Sequence, residues 1–256
     1  MAPTLHIATY NIHKGFSQFN RRIVVHELRE RLHRLDPDII FLQEVQGMHL
    51  GHAERHESWP EAPQHEFLAG DVWQNIAYGR NVIYDHGHHG NAILSRFPII
   101  AAVNQDVTHL RFERRGMLHC AIEVPGMARH VHCVCVHLSL FGRSRRRQID
   151  ALATRLEAIV PTGAPLIVAG DFNDWRNRAH DLLAERLGLD EVFASHVEDD
   201  SSRPPRSFPS ALPVLRLDRI YVRGFTVERT EVHFGPPWSS ISDHAALSAR
   251  LQAVET

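Results

Sequence analysis

Short runs in which apolar and polar residues alternate recur along most of the chain, and this period of two predicts β-strands. The first run, residues 5–12, mixes β-branched and aromatic residues with polar ones. Further strands are predicted near residues 75–84, 91–95, 99–107, 117–124, 130–138, 215–222, 225–234 and 245–251, and two mainly apolar runs predict buried strands at residues 38–45 and 166–169. The pattern therefore indicates a protein with many strands and few helices.

Three segments show the helical spacing of apolar residues instead. We expect a first helix from Asn20, as its N-cap, to Leu35, ended by Pro37, and two others near residues 144–160 and 177–187. The composition of residues 46–72, rich in His, Pro and Glu, predicts an exposed segment without regular secondary structure, and residues 195–212 are predicted to form a polar loop. Because we find no repeat and no Pro/Gly/Ser-rich linker, the sequence predicts one α/β domain over residues 1–256, with two packed sheets.

The composition is that of an ordinary globular protein: 256 residues, 43% apolar, 23% charged and a formal net charge of −2. Such a charge does not indicate a globally basic nucleic-acid binder, so any basic contact surface must be local. Two arginine clusters are candidates, and each is either a solvated surface or a contact for an anionic substrate. They comprise Arg111, Arg114 and Arg115, and Arg143, Arg145, Arg146 and Arg147.

The cysteines predict a reducing environment. Cys120, Cys133 and Cys135 are odd in number and lie in apolar, strand-like runs, which favours buried free thiols over disulfides or a zinc site. The chain opens directly on a strand pattern without a charged and apolar leader. No apolar run reaches the roughly 20 residues of a membrane helix. We therefore expect a cytoplasmic protein.

Candidate chemistry concentrates in three short motifs at predicted strand ends, residues 170–174, 217–221 and 242–244. In the first, Asp171 and Asn173 would point to one side of an extended backbone, although Asp and Asn also favour simple turns. Asp218 and the pair Asp243-His244 could supply a carboxylate that fixes an imidazole tautomer. Acidic groups gathered in one cleft usually hold a hard divalent cation for phosphate chemistry.

Other candidates have structural explanations beside the functional ones. Glu44 ends an apolar strand, where a carboxylate needs a metal or a salt bridge. Asn11 ends the first strand as a ligand or a cap, and His137 ends another as a phosphate partner or a core residue. The histidines near residues 86–89 lack the spacing of a zinc motif and fall in a predicted loop, which disfavours zinc.

Taken in order, the motifs resemble the endonuclease/exonuclease/phosphatase superfamily, which has a DNase I-like fold. The resemblance spans about residues 5–251. It implies a four-layer α/β sandwich in which two packed, mostly antiparallel sheets are flanked by helices, with the site at one end. The motifs are TYNIHKG with Asn11, LQEV with Glu44, GNAILSRFP with Asn91, VHLSL with His137, GDFN with Asp171 and Asn173, LDRI with Asp218, and SDH with Asp243 and His244.

The resemblance also implies phosphoester hydrolysis assisted by Mg²⁺ or Mn²⁺. Glu44 would be the principal metal ligand, with Asn11 and Asp243 nearby. Asp171 and Asn173 would orient the attacking water and the phosphate. His244, held by Asp218, would act as a general base or contact the phosphate, and His137 would stabilise charge that develops on the phosphate oxygens.

One position departs from the base-excision nucleases of the superfamily. Where those proteins have an acidic residue two positions after the first-strand asparagine, this chain has His13, which argues against a second metal and against abasic-site cleavage. The TYNIHKG form resembles a bacterial branch instead.

The sequence leaves the substrate open among nucleic acid, a phospholipid headgroup and a small phosphoester. A lipid substrate would favour an apolar rim. The candidates for such a rim are Trp59, Trp73, Phe141 and Trp238. A non-catalytic binding module is disfavoured because Glu44, Asp171 and His244 are all present.

Overall fold

Two six-stranded sheets form the centre of the protein. The structure, a computed structural model, describes residues 2–18, 21–49, 51, 56, 58–176, 178–195 and 205–254. The first sheet contains β1 (Thr4–Asn11), β2 (Ile39–His49), β3 (Asn75–Tyr84), β4 (Gly87–Ser95), β11 (Phe225–His233) and β12 (Ala246–Ala253), in the order β11-β12-β1-β2-β4-β3. The second contains β5 (Ile99–Asp106), β6 (Gly116–Ile122), β7 (Val131–His137), β8 (Leu166–Asp171), β9 (Asp190–Glu191) and β10 (Asp218–Arg223), in the order β5-β6-β7-β8-β10-β9.

Both sheets follow the same plan. Each has one parallel pair, β1 with β2 and β7 with β8, whereas its other neighbouring strands pair antiparallel. A helix connects the strands of each parallel pair: α1 (Val25–Leu35) in the first sheet and α3 (Gly142–Ile159) in the second. The carboxyl ends of four strands are thereby brought to one end of the molecule.

The inner faces of the two sheets share one hydrophobic core, which includes Ile7, Phe41, Cys133, Ile167 and Leu251. The outer face of the first sheet packs against α1 and α2 (Gln64–Ala69), and that of the second against α3 and α4 (Arg178–Leu187). A short helix, α5 (Val192–Ser195), follows β9. This is the expected four-layer α/β sandwich with mostly antiparallel sheets.

The first helix is shorter than the sequence pattern predicts. It begins at Val25 rather than near residue 20, because Ile23 still pairs with Phe16 in a β-bridge. The proposed cap, Asn20, lies outside the described residues. The helix ends as expected, with Asp36 in the left-handed conformation before Pro37.

The expectation of an irregular excursion over residues 46–72 is wrong in two places. Strand β2 continues to His49, and α2 buries Leu68 and Ala69 against the first sheet. His88 and His89 likewise belong to β4 rather than to a loop, because β3 and β4 are joined by a tight turn between Tyr84 and Gly87.

Two sequence expectations concern the environment of the chain. All three cysteines are free and buried, as predicted. Over the described ranges, no helix has the length and apolar character needed to cross a membrane.

Candidate active site

The candidate residues converge where the two parallel strand pairs end. Asn11 is the last residue of β1, and His137 and Asp171 are the last residues of β7 and β8, where they lie opposite one another. All three side chains are buried. Gly170 permits this close approach, because a Cβ there would lie 2.0 Å from the Val136 carbonyl oxygen.

Glu44 lies inside β2, not at its end as the sequence suggests. The pairing of β2 with β4 shifts between Leu42 and Val45, and Glu44 adopts a positive φ of 57° within this bulge. A bulge redirects the side chain at an otherwise continuous strand, and a non-glycine residue at positive φ carries a conformational cost. The result is a half-buried carboxylate that faces Asn11.

The amide of Asn11 connects the carboxylates of the two sheets. Its Nδ2 lies 3.4 Å from Glu44 Oε1 and 3.2 Å from Asp171 Oδ2, and its Oδ1 accepts a 3.1 Å hydrogen bond from the His13 backbone N–H. Residues 160 positions apart are thereby joined directly.

Asp171 and Asn173 form a turn rather than an extended segment. The Asn173 backbone N–H donates to Asp171 Oδ1 at 2.9 Å, and Asn173 has a φ of 50°. Its side-chain amide donates to the Leu138 carbonyl at 2.9 Å. The motif is therefore both a turn and a part of the candidate site, because the turn fixes the orientation of the Asp171 and Asn173 side chains.

Asp218 and His244 form a buried ion pair beside Asp171. His244 Nδ1 lies 2.8 Å from Asp218 Oδ2, and its Nε2 lies 3.8 Å from Asp171 Oδ2. Burial alone would lower the pKa of His244, but the charges of Asp218 and Asp171 outweigh it and raise that pKa to about 10. Burial and the facing Asp218 raise the pKa of Asp171. The arrangement favours a protonated imidazole between two carboxyl groups.

His137 contributes a second imidazole of opposite character. Its Nε2 lies 3.6 Å from Asp171 Oδ2. Burial, together with the positive charges of Arg115 and His244, holds the pKa of His137 well below its usual value. His137 is therefore a neutral hydrogen-bonding group next to Asp171.

Asp243 adjoins these residues through His13. Its Oδ1 lies 3.2 Å from His13 Nδ1, and the contact raises the pKa of His13 and lowers that of Asp243 against the effect of burial. His13 follows the end of β1, and Asp243 lies just before β12, which starts at Ala246. Lys14, the only lysine of the chain, places Nζ 3.6 Å from Glu44 Oε2.

The structure thus brings the eight candidate catalytic and metal-ligating residues to one cleft. Contacts of 3.8 Å or less join the following set, with His13 as the link to Asp243: Asn11, Glu44, His137, Asp171, Asn173, Asp218, Asp243 and His244. A larger hollow between α3 and α4 is lined by Arg146, Asp181 and Glu185, among others. The convergence of histidines and carboxylates, rather than the size of a hollow, marks the site.

The cleft can accommodate a hard cation. Asp171 and Asp218 each place a carboxylate oxygen within 4.8 Å of the other and of a ring nitrogen of His244, which as an imidazolium is a hydrogen-bond donor rather than a ligand. The carboxylate oxygens of Glu44 and the amide of Asn11 adjoin this group. Oxygen-rich sets of this kind suit Mg²⁺ and Mn²⁺.

Three residues hold the site together in roles that the sequence analysis did not assign to them. Ser242 Oγ donates to the Asn11 carbonyl at 2.7 Å and accepts from the His244 backbone N–H at 3.2 Å, joining the last loop to the first strand. Arg115 donates to the Leu138 carbonyl at 3.2 Å and to Glu113 Oε1 at the same distance. Two sequence features could have indicated these roles. Ser242 directly precedes Asp243 and His244, and Glu113 is an acidic residue between Arg111 and Arg114.

Two further candidates make structural contacts. Arg145 is buried and donates to the Ser139 and Leu140 carbonyls, so this member of its cluster is not a solvated surface residue. His88 Nδ1 lies 3.0 Å from the Tyr78 hydroxyl, a contact between β3 and β4.

The four candidates for an apolar rim differ in how deeply they are buried. Trp73 is fully buried and cannot form a rim, whereas Trp238 is half-buried and packs against Tyr10; Trp59 packs beside Phe16, and Phe141 is exposed.

This fold and cleft define an enzyme class. The chain belongs to the endonuclease/exonuclease/phosphatase family, whose sequence pattern matches residues 8–244. Members of this family are hydrolases of phosphoesters, and divalent-metal dependence is general among them.

Among its relatives is the protein YbhP of Escherichia coli (strain K12), which is 45% identical over 246 residues, 96% of this chain and 95% of that protein. Solved structures with the same fold include the human Nocturnin catalytic domain with bound sulfate, at 20% identity and a TM-score of 0.75 over 99% of this chain and 96% of that one. The mannosyl-6-phosphatase Bt3783 of Bacteroides thetaiotaomicron is 16% identical, with a TM-score of 0.68 over 96% and 99% of the two chains.

Proposed function

We propose that this protein is a divalent-metal-dependent phosphoester hydrolase of the phosphodiesterase type, working as a single domain in the cytoplasm. The observation that carries the proposal is the Asn11 amide shared between Glu44 and Asp171, beside the 2.8 Å Asp218–His244 pair. Carboxylates from two sheets converge at one point, and a histidine held by a carboxylate lies next to them. That combination suits phosphate chemistry better than a structural role.

We propose Glu44, Asn11 and Asp243 as the residues that hold Mg²⁺ or Mn²⁺. When bound, the cation would neutralise charge on the phosphoryl group. Because His13 pairs with Asp243 in place of an added carboxylate, the residues present favour one cation rather than two.

The other side chains then position and polarise the reactants. Asp171 and Asn173, fixed by their turn, orient the attacking water and the phosphate. His244 carries its proton on Nε2 toward the cleft while Asp218 holds Nδ1, so it donates to a phosphate oxygen as negative charge develops there. The neutral His137 donates a further hydrogen bond on the side of β7.

Hydrolysis of bis(p-nitrophenyl) phosphate with Mg²⁺ or Mn²⁺ tests the proposal. Glu44→Gln and His244→Gln keep the size of each side chain but remove a metal ligand or a charged donor. Each should lower kcat by about 10²-fold or more. Chelation by EDTA should abolish turnover, and added Mg²⁺ or Mn²⁺ should restore it.

Glu157→Gln serves as the matched control, because Glu157 is an exposed carboxylate paired with Arg186, remote from the cleft. It should hydrolyse the ester at the wild-type rate. Equal turnover by wild type, Glu44→Gln and His244→Gln would contradict the proposal, as would full activity in EDTA.

The second candidate is a phosphatase of phospholipids or small molecules on the same site. Its support is that the fold is shared with a protein named as a mannosyl-6-phosphatase. Comparing p-nitrophenyl phosphate with the diester separates the two. Preference for the monoester would favour the phosphatase.

A further inference from the structure

An apolar projection stands beside the cleft. Phe112 is 78% exposed, Leu140 66% and Phe141 51%, and the Phe112 and Phe141 rings meet edge to face with centroids 5.9 Å apart. We call these three residues the apolar wedge. Exposed apolar groups that contact one another, in contrast to isolated ones, mark an interaction surface.

The wedge is anchored to the site residues. Leu140 and Phe141 follow His137 by three and four positions. The buried Glu113, next to Phe112, accepts hydrogen bonds from the Leu140 backbone N–H at 3.0 Å and from Ser139 Oγ. Glu113 thereby ties the loop between β5 and β6 to the loop after β7, and it holds the two phenylalanines together.

Arginines surround the wedge. Arg111 and Arg114 flank it on one loop, and Arg143 and Arg146 follow it at the start of α3; all four are exposed. Within the described ranges, no ion pair joins any of the four to a carboxylate. Arg114 also lines the cleft beside Glu44 and His137. Positive charge is thus continuous from the wedge to the site.

We propose that this surface docks on an anionic phospholipid bilayer, so that the enzyme acts on phosphoesters at a membrane; this rests on the proposed function. Apolar tips enter the acyl boundary while guanidinium groups contact lipid phosphates. Leu140 offers no aromatic face, and the edge-to-face rings cannot stack on consecutive bases, so single-stranded nucleic acid fits this surface less well.

Flotation of the full chain with vesicles tests the proposal. Vesicles of equal parts phosphatidylcholine and phosphatidylglycerol should carry the wild-type protein, whereas pure phosphatidylcholine should carry much less, and added salt should release it. The double substitution Phe112→Ser/Phe141→Ser should weaken binding by about tenfold or more. Arg111→Ala/Arg143→Ala leaves the apolar wedge in place and should also weaken binding by about tenfold or more.

Ile100→Ser is the matched control, since Ile100 is 53% exposed on β5, outside the wedge, and its loss should leave flotation unchanged. Circular dichroism checks that each variant is folded. Equal flotation with neutral and anionic vesicles, or unchanged flotation of both double variants, would overturn the proposal.

Binding of an oligonucleotide that depends on Phe112 and Phe141, without any binding of vesicles, would also overturn the proposal. Vesicle binding needs no turnover. A protein that floats but leaves bis(p-nitrophenyl) phosphate intact would therefore count against the proposed function alone, and an active protein that does not float against the membrane surface alone.

Discussion

At the scale of single residues, the site depends on unusual conformations and on paired charges. Glu44 and Asn173 both have positive φ, a conformation that costs free energy for side chains other than glycine. Each reaches the cleft through that conformation. Asp218 faces Asp171 across β10 and β8, and His244 lies between the two carboxyl groups.

The first prediction concerns Asp218→Asn. The amide keeps the shape of the carboxylate but removes the charge that stabilises the His244 imidazolium, so kcat for the diester should fall by about 10²-fold or more. Steady-state kinetics with bis(p-nitrophenyl) phosphate measure the effect, and thermal unfolding checks that the variant is folded. Wild-type turnover would show that the Asp218–His244 pair serves the fold only.

At the scale of the secondary structure elements, the sequence predicted two of the helices closely but missed a short helix and the bulge in β2. The apolar spacing identified α3 and α4 to within about two residues at each end. It missed α2, because six residues are too few to show a helical period. The bulge at Glu44 was also invisible, since the strand continues on both sides of it without a glycine or proline next to Glu44.

The motifs identified the candidate site residues, but the contacts between them could not be predicted from the sequence without the family resemblance. Asn11 and Asp171 are 160 positions apart, and only the sheet order places them together. The exposed Phe112 and the buried Glu113 beside it show how little a loop sequence reveals about burial.

The second prediction concerns neighbouring strands β6 and β7. His119 Nε2 lies 2.9 Å from His132 Nδ1, and burial, with the adjacent His132, lowers the pKa of His119 to about 4. Because the unfolded chain takes up this proton near pH 6.5 and the folded protein only near pH 4, acidification through this range favours unfolding.

His119→Gln should therefore lose less stability on acidification than the wild type. We expect the difference in the free energy of unfolding to be roughly 1–2 kcal/mol between neutral pH and about pH 4.5, after allowance for solvent screening. Urea denaturation at the two pH values measures it. Equal losses for the two proteins would show that this histidine pair does not titrate on unfolding.

At the scale of the whole molecule, the site belongs to neither sheet alone. The first sheet supplies Asn11 and Glu44, and the second supplies His137, Asp171 and Asp218. His244 and Asp243 come from the loop that leads back into the first sheet through β12. A ligand bound between the sheets stabilises their packed arrangement and is absent from the unfolded chain.

The third prediction follows from this linkage. Added Mg²⁺ should raise the Tm of the wild type by about 5 °C or more at a concentration roughly 100 times its Kd. Glu44→Gln should show little of this shift, whereas Glu157→Gln should behave as the wild type. Differential scanning calorimetry measures the three proteins, and an equal shift in all of them would place the cation elsewhere.

The hydrogen bond from Ser242 to the Asn11 carbonyl has a consequence for biosynthesis. It joins residues 231 positions apart, so every residue up to Ser242 must leave the ribosome before this bond can form. A nascent chain that ends before the last loop contains β1, β2, β7 and β8 but not His244. Such a nascent chain therefore lacks part of the candidate site, which is complete only once His244 has been synthesised.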